Sequence, residues 1–199
     1  MNNIEFLLNG IGIPSFVKVC QKFSAVGVGS RGIANLPVIV RTVVELLQER
    51  GAHTFIVPAM GSHSGATAQG QEEVLAHLGV TEDSVGAPIR ATMDVVQVGT
   101  SSGGIPLWGD KYAADSDGIV VINRIKPHTS FHGPVESGLL KMLVIGLGKQ
   151  RGADSAHVRG FAPMSEHILD MSKALIKRLP ICFGVAVVES CFSLTLQRC

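Results

Sequence analysis

His63 stands in Gly61-Ser62-His63-Ser64-Gly65, directly after the apolar run Thr54–Val57. A glycine-flanked imidazole at the end of a buried strand is placed to act as a base or a ligand. The plainer alternative is a loop histidine satisfied by water. His128 comes after Lys126-Pro127 in a loop from Arg124 to Pro134 that is dense in basic groups. Such a loop either binds an anion without catalysis or supplies a second acid/base group facing His63 across a cleft. Two histidines on neighbouring strand ends could then exchange protons on opposite faces of one substrate carbon. Lys141 lies inside the apolar stretch Gly138–Gly146. A buried ammonium is expensive unless paired or chemically altered, and desolvated lysines are nucleophilic. The alternative is a lysine snorkelling at a helix edge. His157 comes later, after Gly146-Leu147-Gly148-Lys149-Gln150-Arg151-Gly152, which reads as a flexible basic loop. That loop lacks the GxxxxGK[ST] pattern of a phosphate-binding P-loop. HExxH and paired CxxC motifs are absent, so spacing alone gives a metal site little support.

The elements that would carry these groups alternate. Ser24–Val28 reads as a strand running into Gly29-Ser30-Arg31-Gly32. Leu36, Ile39, Val40, Val43, Leu46 and Leu47 recur with helical spacing, with Pro37 near the start and Gly51 as the stop. Thr54–Val57 is a second strand, and a helix is expected over about Gln71–Leu78. Val95–Val98 and Ile105–Trp108 predict a hairpin, and Lys111–Ala114 a short helix. Gly118–Ile122 and Ile181–Val188 have the unbroken apolar character of buried parallel strands, with a helix over Glu166–Leu179 between them. The expected fold class is therefore α/β, a mostly parallel sheet with helices on both faces, Rossmann-like. Such sheets bind ligands beyond the C-terminal ends of their strands. Ser30-Arg31, His63 and Lys126-Pro127-His128 all fall at those ends.

Composition narrows the classes further. The 199 residues suffice for one domain with a real core. Hydrophobic residues make up 46% and charged residues 17%, which excludes a disordered chain. The net charge of +1 argues against a nucleic-acid binder. No apolar run approaches a membrane span, and the N-terminus has no charged region typical of a secretory signal. The cysteines, Cys20, Cys182, Cys191 and Cys199, are scattered, as suits free thiols in a reducing, cytoplasmic setting. His53, His77 and His167 lie beside or on regular elements and read as surface or packing residues.

Taken together, SRGI, GSH, NRIKPH, ESGLLKMLVIGLGKQRGA and the later His157 resemble the nickel-dependent lactate racemase family. The likeness is strongest to relatives carrying the lactate-racemase N-terminal domain, and it runs from about Lys18 to Glu189. It implies a nickel-pincer nucleotide, a nicotinate-derived mononucleotide with two sulfur arms, one of them tethered to Lys141. Nickel would be held by the pincer's carbon and sulfurs and by His157. His63 and His128 would be the acid/base pair, and Arg31 would bind the carboxylate of a 2-hydroxy acid. Gly29, Ser30 and Lys126 would receive the cofactor phosphate. Family members carry an aspartate three residues before the arginine, where this chain has Val28.

The resemblance also sets expectations about organisation. Residues 1–23 would be an N-terminal extension and 24–189 the N-terminal α/β domain of a two-domain family. Residues 190–199 would be a tail unlike the family's continuation. A truncated or frameshifted reading frame is expected, or a half that pairs with a second domain on a separate chain or with another copy of itself. The implied partner is a small 2-hydroxy acid, with no nucleic acid and no membrane. Two other readings stand beside the racemase or epimerase. One is a non-catalytic anion- or nucleotide-binding module using Arg31, Lys126, Lys149 and Arg151. The other is an inactive fragment.

Overall fold

The computed structural model describes residues 22–127, 133, 135–158 and 160–189. Four apolar runs form one parallel sheet: β1 (Phe23–Val28), β2 (His53–Pro58), β5 (Gly118–Arg124) and β6 (Ile181–Val187), in the order β2-β1-β5-β6. Successive side chains on a strand point to opposite faces, and these strands are apolar at nearly every position, so both faces must be covered. Val26, Val28, Ile56, Val120 and Ile122 pack on one face with Leu36, Val40, Val43 and Leu47 of helix α1 (Leu36–Gln48). Leu75 of α2 (Ala68–His77) joins that layer. Ala25, Phe55, Val57, Ile119 and Val121 pack on the other face with Met142–Val144, Leu147 and the helix α7 (Met164–Ile176), through Met164, Ile168, Met171 and Leu175. The expected α/β class, a parallel sheet with helices on both faces, is what the chain adopts.

The hairpin pairs β3 (Val95–Thr100) with β4 (Pro106–Asp110) as a separate antiparallel sheet, with Leu107 in the second core. A one-turn helix, α3 (Glu82–Val85), has no apolar spacing to announce it. It is held by a capping box between Thr81 and Ser84. Asp110 closes the hairpin and caps α4 (Lys111–Ala114), accepting from the Ala113 N–H at 2.9 Å.

One segment departs from expectation. Residues 146–152 are not a flexible basic loop. Helix α5 (Leu139–Lys141) runs into a π-helix (Met142–Gly146), and α6 (Lys149–His157) starts almost at once. The glycines permit close packing instead of mobility: a Cβ on Gly148 would overlap the Val144 carbonyl, and one on Gly146 would come within 2.7 Å of the Ala59 carbonyl. Of the expected extension 1–23, only Lys22 and Phe23 are described, and the tail 190–199 lies outside the described residues. Among the described residues no helix is long and apolar enough to cross a membrane.

Candidate functional site

β1 sits between β2 and β5, with the chain leaving it toward β2 on one side while β5 leads to β6 on the other. The strand order therefore reverses at β1 and β5, where an open parallel sheet leaves a crevice beyond its C-terminal edge. The residues at that edge are Gly29-Ser30-Arg31 after β1, Met60-Gly61-Ser62-His63 after β2, and Ile125-Lys126 after β5.

Ser30 and His63 are joined directly, with Oγ 2.5 Å from Nδ1. A hydroxyl either donates to Nδ1 or accepts from it, so this contact orients the ring and leaves Nε2 for a substrate. The chain turns sharply just beyond the ring. Ser64, Gly65 and Ala66 all have left-handed φ values of 54°, 66° and 53°. Two of the three are not glycine, and such backbone persists only where its surroundings hold it. The His63 pKa is lowered, first by burial and then by the positive charges of Arg31 and Lys141. The ring is therefore neutral near pH 7, the state a general base requires.

Lys141, half-buried at the end of α5, is a second perturbed group at this edge. Burial, then the Arg31 and Lys126 charges, pull its ammonium down to about 8 from the ordinary 10.5. Roughly a tenth of it is thus a neutral amine at pH 7, against a few parts in ten thousand for an ordinary lysine. Arg31, Lys126, Lys141 and His63 form one electrostatic cluster assembled from the ends of three strands and one helix. It suits an anion with a nearby electrophile.

Several residues that the motifs did not single out build this rim. Asn123 Nδ2 donates to the Gly138 carbonyl at 2.9 Å, and its Oδ1 accepts from the Arg124 N–H at 2.9 Å. Ser137 Oγ accepts from the Lys126 N–H at 3.1 Å and donates back to the Lys126 carbonyl. These bonds tie the end of β5 to the segment that delivers Lys141. Glu189 pairs with Arg124 Nε at 2.9 Å and accepts from the Ala34 N–H at 2.6 Å, bracing the stretch after Arg31. Asn123 and Ser137 stand within the runs NRIKPH and ESGLLKMLVIGLGKQRGA with no role marked for them; nothing in sequence marks Glu189, whose partners are distant in the chain. Gly29 lies against Asn123, where a Cβ would stand 3.2 Å from Oδ1.

His157 ends α6. Its Nδ1 is 2.6 Å from the Ala153 carbonyl, and its ring stacks edge-on against Phe161 at 5.3 Å. A carbonyl can only accept, so Nδ1 carries the proton and the Nε2 lone pair is left available to a metal. These contacts are to its own helix and to the residues just beyond it, not to the Arg31–His63–Lys141 cluster. His128 lies outside the described residues. Among the described residues no three His, Cys, Asp or Glu side chains converge as a metal site.

One cation of the anion-binding alternative is corrected, Lys149, while a second, Arg151, keeps its exposure. Lys149 is sealed in the interior at 0% exposure, 3.1 Å from the equally buried Asp110 carboxylate. The Arg151 guanidinium lies over the Trp108 ring at 4.8 Å. A buried, paired ammonium cannot receive a solution anion, which leaves Arg31, Lys126 and the exposed Arg151 for that reading.

The model of the lactate racemase N-terminal domain matches residues 30–167. A solved structure, the lactate racemase apoprotein from Thermoanaerobacterium thermosaccharolyticum, superposes with a TM-score of 0.67 at 18% identity. That match covers 94% of this chain and 48% of the other, so the chain spans about half the length of that relative and shares its fold. No curated protein matches by sequence. The matched span contains Ser30, Arg31, His63, Lys126, Lys141 and His157, and with a family model covering more than half of its residues the chain belongs to the lactate racemase N-terminal domain family.

Proposed function

We propose that this chain contributes the N-terminal half of a nickel-pincer-dependent racemase or epimerase of a 2-hydroxy acid. The observation that carries the reading is the convergence of Arg31, His63, Lys126 and Lys141 at one sheet edge, with the Lys141 amine at about 8. The residues present fit the cofactor. Lys141 is a good nucleophile toward an electrophilic sulfur arm, because with its pKa near 8 about half of it is neutral amine at pH 8. Lys126 and Ser30 suit a phosphate, and His157 offers Nε2 to nickel. When bound, the cofactor supplies a hydride acceptor, so that the α-hydrogen of the substrate need not leave as a proton.

The chain's own residues do the rest. Arg31 binds the substrate carboxylate through its two-pronged guanidinium and anchors the α-carbon beside His63. His63, neutral and oriented by Ser30, takes the hydroxyl proton at Nε2 as the carbonyl forms and returns it when the carbonyl is reduced. His128, four residues after β5 in the sequence, serves the opposite face. Because the keto form is flat, both faces of its carbon are equivalent to reduction, and a histidine on each side would supply the hydroxyl proton for either configuration.

The test is intact-mass spectrometry of the chain produced together with cofactor-synthesising enzymes. Added mass that maps to Lys141 and disappears in Lys141→Ala is expected. An unmodified Lys141 under conditions that load a bona fide lactate racemase overturns the tether. Reversible binding of a 2-hydroxy acid to the unmodified chain, measured by calorimetry, would then favour the anion-binding module built on Arg31, Lys126 and Arg151.

A further inference from the structure

Lys149 is the largest fully buried side chain among the described residues, and the proposed reaction makes no use of it. Its backbone is left-handed at φ 53°, which costs a non-glycine residue energy that some other contact must offset. The contacts of its head group indicate what that is. Nζ donates to the Pro58 carbonyl, at the last residue of β2, and to Gln71 Oε1 at 3.2 Å. It also lies 3.1 Å from Asp110 Oδ2. Among the described residues that carboxylate oxygen has no aligned hydrogen bond, so the contact is one of charge. Gln71, itself 0% exposed, passes the connection on, its Nε2 donating to the Gly61 carbonyl at 2.8 Å. Gly61 is two residues before His63, and its own N–H donates to the Gly146 carbonyl at 3.2 Å.

The ammonium thus holds both ends of the segment Pro58–Gly61 from inside the protein. It projects from the helix that continues the Lys141 segment. We propose that Lys149, working through Gln71, is a positioning residue that sets the His63 loop against the Lys141 helix. Asp110 has the companion role of keeping the charge buried: without it, burial alone would drive Lys149 toward the neutral amine. A neutral amine has fewer protons to share between Pro58 and Gln71. The groups that face His63 itself are Ser30, Arg31 and Lys141. Lys149 acts on the ring only through the loop backbone.

The role deepens the reading of His63 as an acid/base group and rests on it for its purpose, but its readout does not. The experiment tracks the His63 ring by NMR across pH in the full chain without metal or cofactor, with the signal assigned by its loss in His63→Gln. Two variants are compared with wild type: Gln71→Met, which changes no charge, and Lys149→Met combined with Asp110→Asn, which removes both charges together. In each, the freed loop lets the ring leave Ser30 and the nearby cations. The expected result is a His63 midpoint moved up toward the ordinary histidine range, with loss of the Nδ1 hydrogen-bond signature. Folded variants with a lower Tm and an unchanged His63 titration overturn the proposal and leave Lys149 a purely structural ion pair. Failure of the double variant to fold leaves the decision to Gln71→Met, and failure of that variant also overturns the proposal. A missing adduct on Lys141 would not touch this result, and an unmoved His63 would not touch the racemase reading.

Discussion

Two lysines on successive helical segments of this chain have opposite surroundings. Lys141 is half-buried at the rim, with Arg31 and Lys126 as charged neighbours, and burial and both charges push its proton off. Lys149 is wholly enclosed, yet a carboxylate and two acceptors surround it. Burial lowers the pKa of both, but Lys149 has the Asp110 countercharge to oppose that fall. The difference shows how one side-chain type serves two ends. Desolvation among like charges makes an amine reactive, whereas desolvation beside a carboxylate makes a brace.

The largest expected effect comes from breaking the brace on one side only. Lys149→Met alone strands the Asp110 carboxylate in the core and should cost about 3–5 kcal/mol, read as a loss of chemical-denaturation midpoint. The companion change Asp110→Asn should recover most of it, because no charge is then left buried. Next in size is chemical reactivity. An acylating reagent at pH 8 should modify Lys141 ahead of the exposed lysines, with a midpoint near 8, and should leave Lys149 untouched until the chain unfolds. Equal labelling of the two would erase the contrast.

A smaller effect sharpens the rim side. Removing a neighbouring positive charge with Arg31→Met should raise the Lys141 midpoint toward 10.5 and bring the His63 midpoint up with it. The same shift has a stability consequence with a definite sign. The folded pKa of Lys141 is below the unfolded one, so its protonated form disfavours folding throughout the range below pH 8, and that cost fades between 8 and 10.5. The Tm difference between Lys141→Met and wild type should therefore shrink over that window. The smallest expected change is Ser30→Ala, about 0.5–1.5 kcal/mol at most on stability, with the His63 ring freed to reorient. Ring-nitrogen NMR would detect it where a melting curve would not.

Much of the architecture is legible in sequence because it rests on local patterns. The runs at Ser24–Val28, Thr54–Val57, Gly118–Ile122 and Ile181–Val188 are the four parallel strands within a residue or two. Leu36 through Leu47 carry the helical period of α1, and Gly51 stops it with φ 89°. The π-helix and α6 are hidden because glycine at 146, 148 and 152 suggests mobility in sequence, whereas here it permits backbone-to-backbone packing against Val144 and Ala59. Lys149 is hidden for the same reason: a lysine between glycines looks solvated unless its partner is known. Asp110 and Gln71, which pair with it, are far away in the chain, and no spacing rule connects them.

From its sequence alone the chain already specifies a parallel α/β sheet with its reactive residues just past the strand ends, because apolar periodicity and turn residues act over a few positions. The family resemblance rests on those same local motifs. What tertiary structure decides is the company each ionisable group keeps: Arg31 and Lys126 beside Lys141, Ser30 against His63, Asp110 beside Lys149. Charge and burial act through space over short distances, and residues far apart in the chain come that close only when the sheet has formed.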